Sequence, residues 1–145
     1  MRVLGVFTAA LFAAITSASM AQASDLIGTW TAETSVILEL DDEIVEAPRI
    51  FTIVIESVNG QIVRGTKSWK AGSDDPGYID DESVFEATEP VIGALSGDGK
   101  TLRLVEVDDH GLMFATRIGD DEIELTYMEG PPHAVAYTAI FQRQE

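Results

Sequence analysis

The chain has 145 residues, no cysteine, and 25 acidic against 9 basic side chains, for a formal charge of −16. Disulfides, thiolate catalysis, thiolate metal sites and lipid anchoring through cysteine are excluded, so the domain must be held by its apolar core. The charge argues against nucleic acid and anionic membrane surfaces as partners, because both are bound by Lys and Arg neutralising phosphates.

Met1-Arg2 carries the only early charge, Val3 to Ile15 is apolar apart from Gly5 and Thr8, and small residues lead to Ala21-Gln22-Ala23. This order predicts a secretory signal helix over 1–23, cut after Ala23, and a single exported domain over 24–145, periplasmic or secreted. The apolar run is shorter than the roughly 20 residues a spanning helix needs. No later segment rivals it, so no membrane attachment is expected after cleavage.

Leu26 to Leu40 alternates Gly28, Trp30, Ala32, Thr34, Val36 and Leu38 against Thr29, Thr31, Glu33, Ser35 and Glu39, the period of a strand. Asp41 to Pro48 reads as a long acidic loop, and Arg49 to Val58 as a second strand. Asn59-Gly60 is a strong hairpin signal, after which Gln61 to Lys70 returns as the third strand. Ala71 to Glu82 is a second long loop. Ser83 to Leu95 follows as a strand in which Pro90, unable to donate to a ladder, suggests a bulge or bend. Ser96 to Lys100 turns the chain. Leu102 to Val107, Leu112 to Ile118, Glu122 to Glu129 and Ala134 to Gln142 complete the series.

No segment after residue 23 keeps a helical period, and no gap would hold a crossover helix between parallel strands. The expected fold is therefore all-β, an eight-stranded antiparallel up-and-down meander. Closure into a barrel would remove both exposed edges, and a sandwich is the alternative.

Asp25-Leu26-Ile27-Gly28-Thr29-Trp30 resembles the Gly-x-Trp opening of avidins and lipocalins, calycin-type barrels of eight strands that bind ligands. The resemblance implies that Trp30 closes the barrel floor against an Arg near the end of the last strand, a place held here by Arg143. Glu122 to Tyr127 and the tail Ala139 to Gln144 are similar to segments of small exported bacterial proteins. Avidins use several Trp residues on later strands for biotin, whereas this chain has only Trp30 and Trp69, and lipocalin disulfides are absent. What transfers is a small barrel that holds a ligand.

Strands of a meander alternate in direction, so the first, third, fifth and seventh connections share one rim. That rim would collect both long loops, His110, His133 and the acids Asp41, Asp42, Glu43, Glu46, Asp74, Asp75, Asp80, Asp81, Glu82, Asp108 and Asp109. The tight turns, with Trp30 and Arg143, would form the opposite floor. An open rim with the longer loops is where a barrel usually binds, although eight strands leave room for little more than side chains or one small ligand.

Asp74, Asp75, Asp80, Asp81 and Glu82, with His110, are the candidate cation ligands, since hard cations want six to eight oxygens. Their order does not match an EF-hand, and solvated loop charge is the simpler reading. His110 and His133 lack zinc spacing, no Gly-x-Ser-x-Gly elbow presents a serine, and Gly97-Asp98-Gly99-Lys100 lacks the spacing of a phosphate loop.

Parity turns Trp30, Ala32, Val36, Leu38, Ile123, Leu125, Tyr127, Val135, Tyr137 and Phe141 inward. Arg64, Glu89 and Arg117 lie in strands with an apolar parity beside them and would need partners if turned in, an outward position being the simpler reading. The expectation is a non-enzymatic barrel for a small molecule, with Trp69, Tyr127 and Tyr137 as ligand contacts, Trp30 and Arg143 structural, and no cofactor. A protein-interaction module, as an inhibitor or accessory subunit, is the alternative. An enzyme is the third class, disfavoured because the rim acids lack a paired base and nucleophile.

Overall fold

A computed structural model describes residues 25–40, 43–71, 87–132 and 134–145. Eight strands follow in order: β1 (Gly28–Leu40), β2 (Glu43–Asn59), β3 (Ile62–Ala71), β4 (Ala87–Leu95), β5 (Thr101–Glu106), β6 (Leu112–Arg117), β7 (Glu122–Glu129) and β8 (Val135–Arg143). Each pairs antiparallel with the next, and β8 pairs with β1, so the meander is a closed barrel rather than a sandwich.

Two local expectations are corrected. Residues 43–48 are strand rather than loop: β2 pairs with β1 from Leu40↔Glu43 through Ser35↔Pro48. The β3 partner of β2 ends at Ala71, opposite Arg49, so Pro48 lies past the β3 ladder and its missing N–H forfeits no bond there. Glu43 and Glu46 therefore stand on a hairpin arm, and only residues 41–42 separate the strands. The second correction concerns Pro90, which holds an unbroken register with Thr66, while the shift in the sheet falls in β2 between Ile55 and Ser57. Pairing of β4 with β5 starts only at Val91, so Pro90 stands at the end of that ladder, where its carbonyl accepts from the Val107 N–H at 2.9 Å.

The tight turns gather at one end. Gly60 takes φ +62° in the two-residue turn after Asn59, and Ser96 Oγ accepts from the Thr101 N–H at 2.9 Å to close the next hairpin. Inward alternation fills this half of the barrel with Trp30, Ile53, Leu104, Leu125 and Phe141, all nearly solvent-free. The gap they leave is about 10 Å³, at the margin of what one water molecule needs.

The floor is built on the Gly-x-Trp opening. Trp30 Nε1 donates to the Leu26 carbonyl at 3.0 Å, and the Arg143 guanidinium lies 4.2 Å from the Trp30 ring centroid. Arg143 also donates to the carbonyls of Ile27 (3.0 Å) and Asp25 and pairs with Asp121 at 3.1 Å. Gly28 is needed twice over: its φ is +147°, and a Cβ there would stand 2.8 Å from the Arg143 guanidinium.

Candidate functional site

The inward parity continues to the other end of the barrel, but the residue types change. On β2, Arg49 precedes inward Phe51; on β3, Lys67 follows Val63 and Gly65; on β4, Glu89 precedes Val91. On β5, Glu106 follows Leu102 and Leu104, and on β7, Glu129 follows Leu125 and Tyr127. An ionic layer thus caps an apolar core. Arg49, Lys67 and Glu106 are each at most 5% exposed, a depth at which an unpaired charge costs several kcal/mol.

Lys67 is the hub. Its ammonium contacts Glu106 directly, lies 3.7 Å from Glu89, its cross-strand partner, and sits 3.9 Å from the Tyr127 ring centroid. The Tyr127 hydroxyl stands 3.0 Å from Glu106 Oε2 and 2.7 Å from Glu129 Oε2, so one phenolic proton serves two carboxyl groups. Carboxylate oxygens of Glu89 and Glu106 lie within 4.8 Å of each other. Arg49 belongs to the other side of the layer, 5.4 Å from the Trp69 ring, and donates to the Pro48 carbonyl at 2.8 Å.

Tyr137 stacks between Phe51 (4.1 Å) and Tyr127 (5.2 Å), its register partner. It is 94% buried, and its hydroxyl is the one buried side-chain polar atom without a hydrogen-bond partner among the described residues. Such a group costs about 1–3 kcal/mol when left unmade.

Burial, reinforced by the hydrogen bond to Glu106, pushes the Glu89 carboxyl up to about 7 against the pull of Lys67. Burial likewise raises Glu129 and holds both Tyr127 and Tyr137 in the phenol form. Because Glu89 binds its proton more tightly folded than unfolded, its contribution to stability is full below about pH 4.5 and is lost as pH rises through about 7. Unfolding by urea at pH 5 and pH 8 should show greater stability at pH 5, by on the order of 2 kcal/mol from this group. Glu89→Gln should flatten the difference; an unchanged slope in that variant would assign it to general acidic repulsion.

Gly111 completes the site from the β5–β6 turn. A Cβ on it would run into the Glu106 carboxylate and stand 2.5 Å from the Tyr127 hydroxyl, so a larger residue would have to push these side-chain ends aside.

Of the expected ligand contacts, Tyr127 and Tyr137 stand together in this layer and Trp69 lies half-buried beside Arg49. Of the three strand charges expected to face outward, Glu89 is the exception, turned toward Lys67. Arg64 is exposed, and Arg117 turns to the Gly119 carbonyl (3.0 Å) and Asp120 at the floor, while Glu89 meets Lys67 instead. His110 is exposed, 3.5 Å from Asp109. Asp41, Asp42, Asp74, Asp75, Asp80, Asp81, Glu82, His133 and residues 1–23 lie outside the described residues. The carboxylate oxygens that do converge, within 4.8 Å of one another, are those of Glu89, Glu106 and Asp109, none of them a sequence candidate for a cation.

A solved structure of a redesigned β-barrel is similar to this chain, with a TM-score of 0.52 and 14% identity over 86% of this chain and 96% of that one. At that identity the likeness shows the fold alone. No family model and no curated protein matches the sequence.

Proposed function

We propose that this chain is an exported, non-enzymatic barrel that binds a small molecule at the ionic end of its interior. The observation that supports this reading is the buried Lys67–Glu106–Tyr127–Glu129 layer with the unpartnered Tyr137 hydroxyl above an otherwise apolar core. Well-packed apolar residues there would serve stability as well or better, so the layer points to recognition. On this reading Trp69, Tyr127 and Tyr137 are the ligand contacts of the rim half, and Trp30 and Arg143 form a structural floor. The signal-peptide pattern of residues 1–23 supports export to the periplasm or medium, without membrane attachment afterwards.

A second reading, a protein-interaction module, has its own observation. Exposed Ile92, Val105, Leu112 and Met128 form one in-register row across the outer faces of β4 to β7. Contiguous apolar surface of this kind marks interaction sites.

Native mass spectrometry of the protein isolated from its own host separates the two. A retained small-molecule mass is expected. A bare chain, or one carrying a stoichiometric protein, would overturn the small-molecule reading, and the latter result would favour the module.

A further inference from the structure

We infer that the outer face of β4 to β8 docks a second copy of this chain, related to the first by a two-fold axis running along β6. The inference goes beyond the small-molecule reading and does not depend on it.

The exposed apolar row lies at the centre of this face. Ile92, Val105, Leu112 and Met128 stand side by side on β4 to β7, each 39–47% exposed, and Ala136 continues the row on β8. One step toward the floor, the next row is Ala94, Arg103, Phe114, Thr126 and Thr138. Beyond it Glu124 stands between Thr116 and Ile140. In these rows Arg103 and Glu124 are the only charges, on a chain with 25 acidic residues. Neither side chain has an ion-pair partner among the described residues. Two copies at −16 each repel, and the repulsion is least where the opposed surfaces carry no excess acid. Arg103 and Glu124 cancel here, whereas β1 and β2 expose Glu33, Glu46 and Glu56.

A two-fold contact must be self-complementary: if one residue meets another, the reverse contact is made as well. β5 and β7 flank β6, so an axis along β6 lays β5 of each copy over β7 of the other, and β4 over β8. Leu112 then meets Leu112, Val105 meets Met128 and Ile92 meets Ala136, so the row pairs apolar with apolar throughout. Arg103 comes over Thr126, two residues from Glu124 or about 7 Å along the strand, within reach of a guanidinium. Two Arg–Glu pairs result. An axis along β5 would set Arg103 on Arg103, and one along β7 would set Glu124 on Glu124, so the charges select β6. A different protein would have to supply an anion for Arg103 and a cation for Glu124 beside an apolar row; a second copy brings all three.

Sedimentation velocity of the protein isolated from its host, over about 1–200 µM, spans the affinities expected of a modest interface. A monomer is expected at the low end and a dimer at the high end. Leu112→Glu sets two carboxylates together at the axis and should weaken the dimer at least about tenfold. Ile44→Glu adds the same charge on β2, across the barrel from β6, and should leave the dimer intact. Arg103→Glu and Glu124→Arg should each weaken it about tenfold through like-charge contacts, and the double variant should recover it. All four positions are exposed, and equal urea midpoints at low concentration check that the variants fold. A chain monomeric throughout, a dimer indifferent to Leu112→Glu, or a double variant as weak as the single ones would overturn the proposal. A different host protein held on this face would overturn it too, and would favour the interaction module.

Discussion

Lys67→Met should destabilise the barrel by about 3–5 kcal/mol, the cost of leaving a buried charge without its partner. Glu106 is fully buried at its side chain, and Lys67 is its only cationic contact among the described residues. Its other neighbours, Glu89 and the Tyr127 hydroxyl, cannot neutralise it. Met keeps the length and apolar stem of Lys, so the loss isolates the charge. Equilibrium urea unfolding at pH 7 reads the difference. The double variant Lys67→Met/Glu106→Leu should return to within about 1 kcal/mol of the original protein or exceed it, because replacing both members of a buried pair with apolar groups is often neutral or stabilising. A single variant losing under about 1 kcal/mol would show that water reaches Glu106 and that the layer is not dry.

Trp30→Ala should cost a comparable amount, about 3–5 kcal/mol. Trp30 leads the fully buried side chains by size, and it borders a small gap in the floor half, so truncation would enlarge that gap rather than let it collapse. Two further interactions go with the indole: the bond to the Leu26 carbonyl and the stacking of Arg143. Arg143 joins the tail of β8 to the approach to β1 through Ile27 and to the β6–β7 turn through Asp121, so the seam between first and last strands should loosen with it. The midpoint of urea unfolding gives the size of the effect, and amide exchange at β1 and β8 its location. A loss under about 1 kcal/mol would mean that Trp30 is not what closes the floor.

Much of the architecture can be read from alternation. Val and Thr at every second place, Gly and Asn at turns and the absence of a helical period lead to eight antiparallel strands, and the strand of Glu122–Glu129 keeps the bounds its pattern suggests. Sequence and structure part where a residue's role depends on its neighbours in space rather than along the chain. Pro48 and Pro90 look like interruptions along the chain, yet each stands where one neighbouring ladder has ended. The extra residue in β2 has no proline or glycine to mark it.

The ionic layer was legible only in part. Glu89 shares the parity of Val91 and stood out as a charge that could turn inward. Lys67 did not, because Gly65 interrupts the apolar parity that it shares with Val63 and Trp69. Glu106 closes a Leu-x-Leu-x-Glu alternation, but Val105 and Val107 make the opposite parity look equally apolar. Parity can name residues that face inward; only the barrel's closure brings β3, β4, β5 and β7 together so that their charges meet.

The same closure makes the central claim testable on paired proteins of equal stability. Native mass spectrometry of the original protein and of Lys67→Met/Glu106→Leu, both isolated from the same host with matched unfolding midpoints, addresses it directly. The account predicts a small-molecule mass retained by the original chain and absent from the double variant. A bare original chain, or a double variant that keeps the molecule, would contradict it.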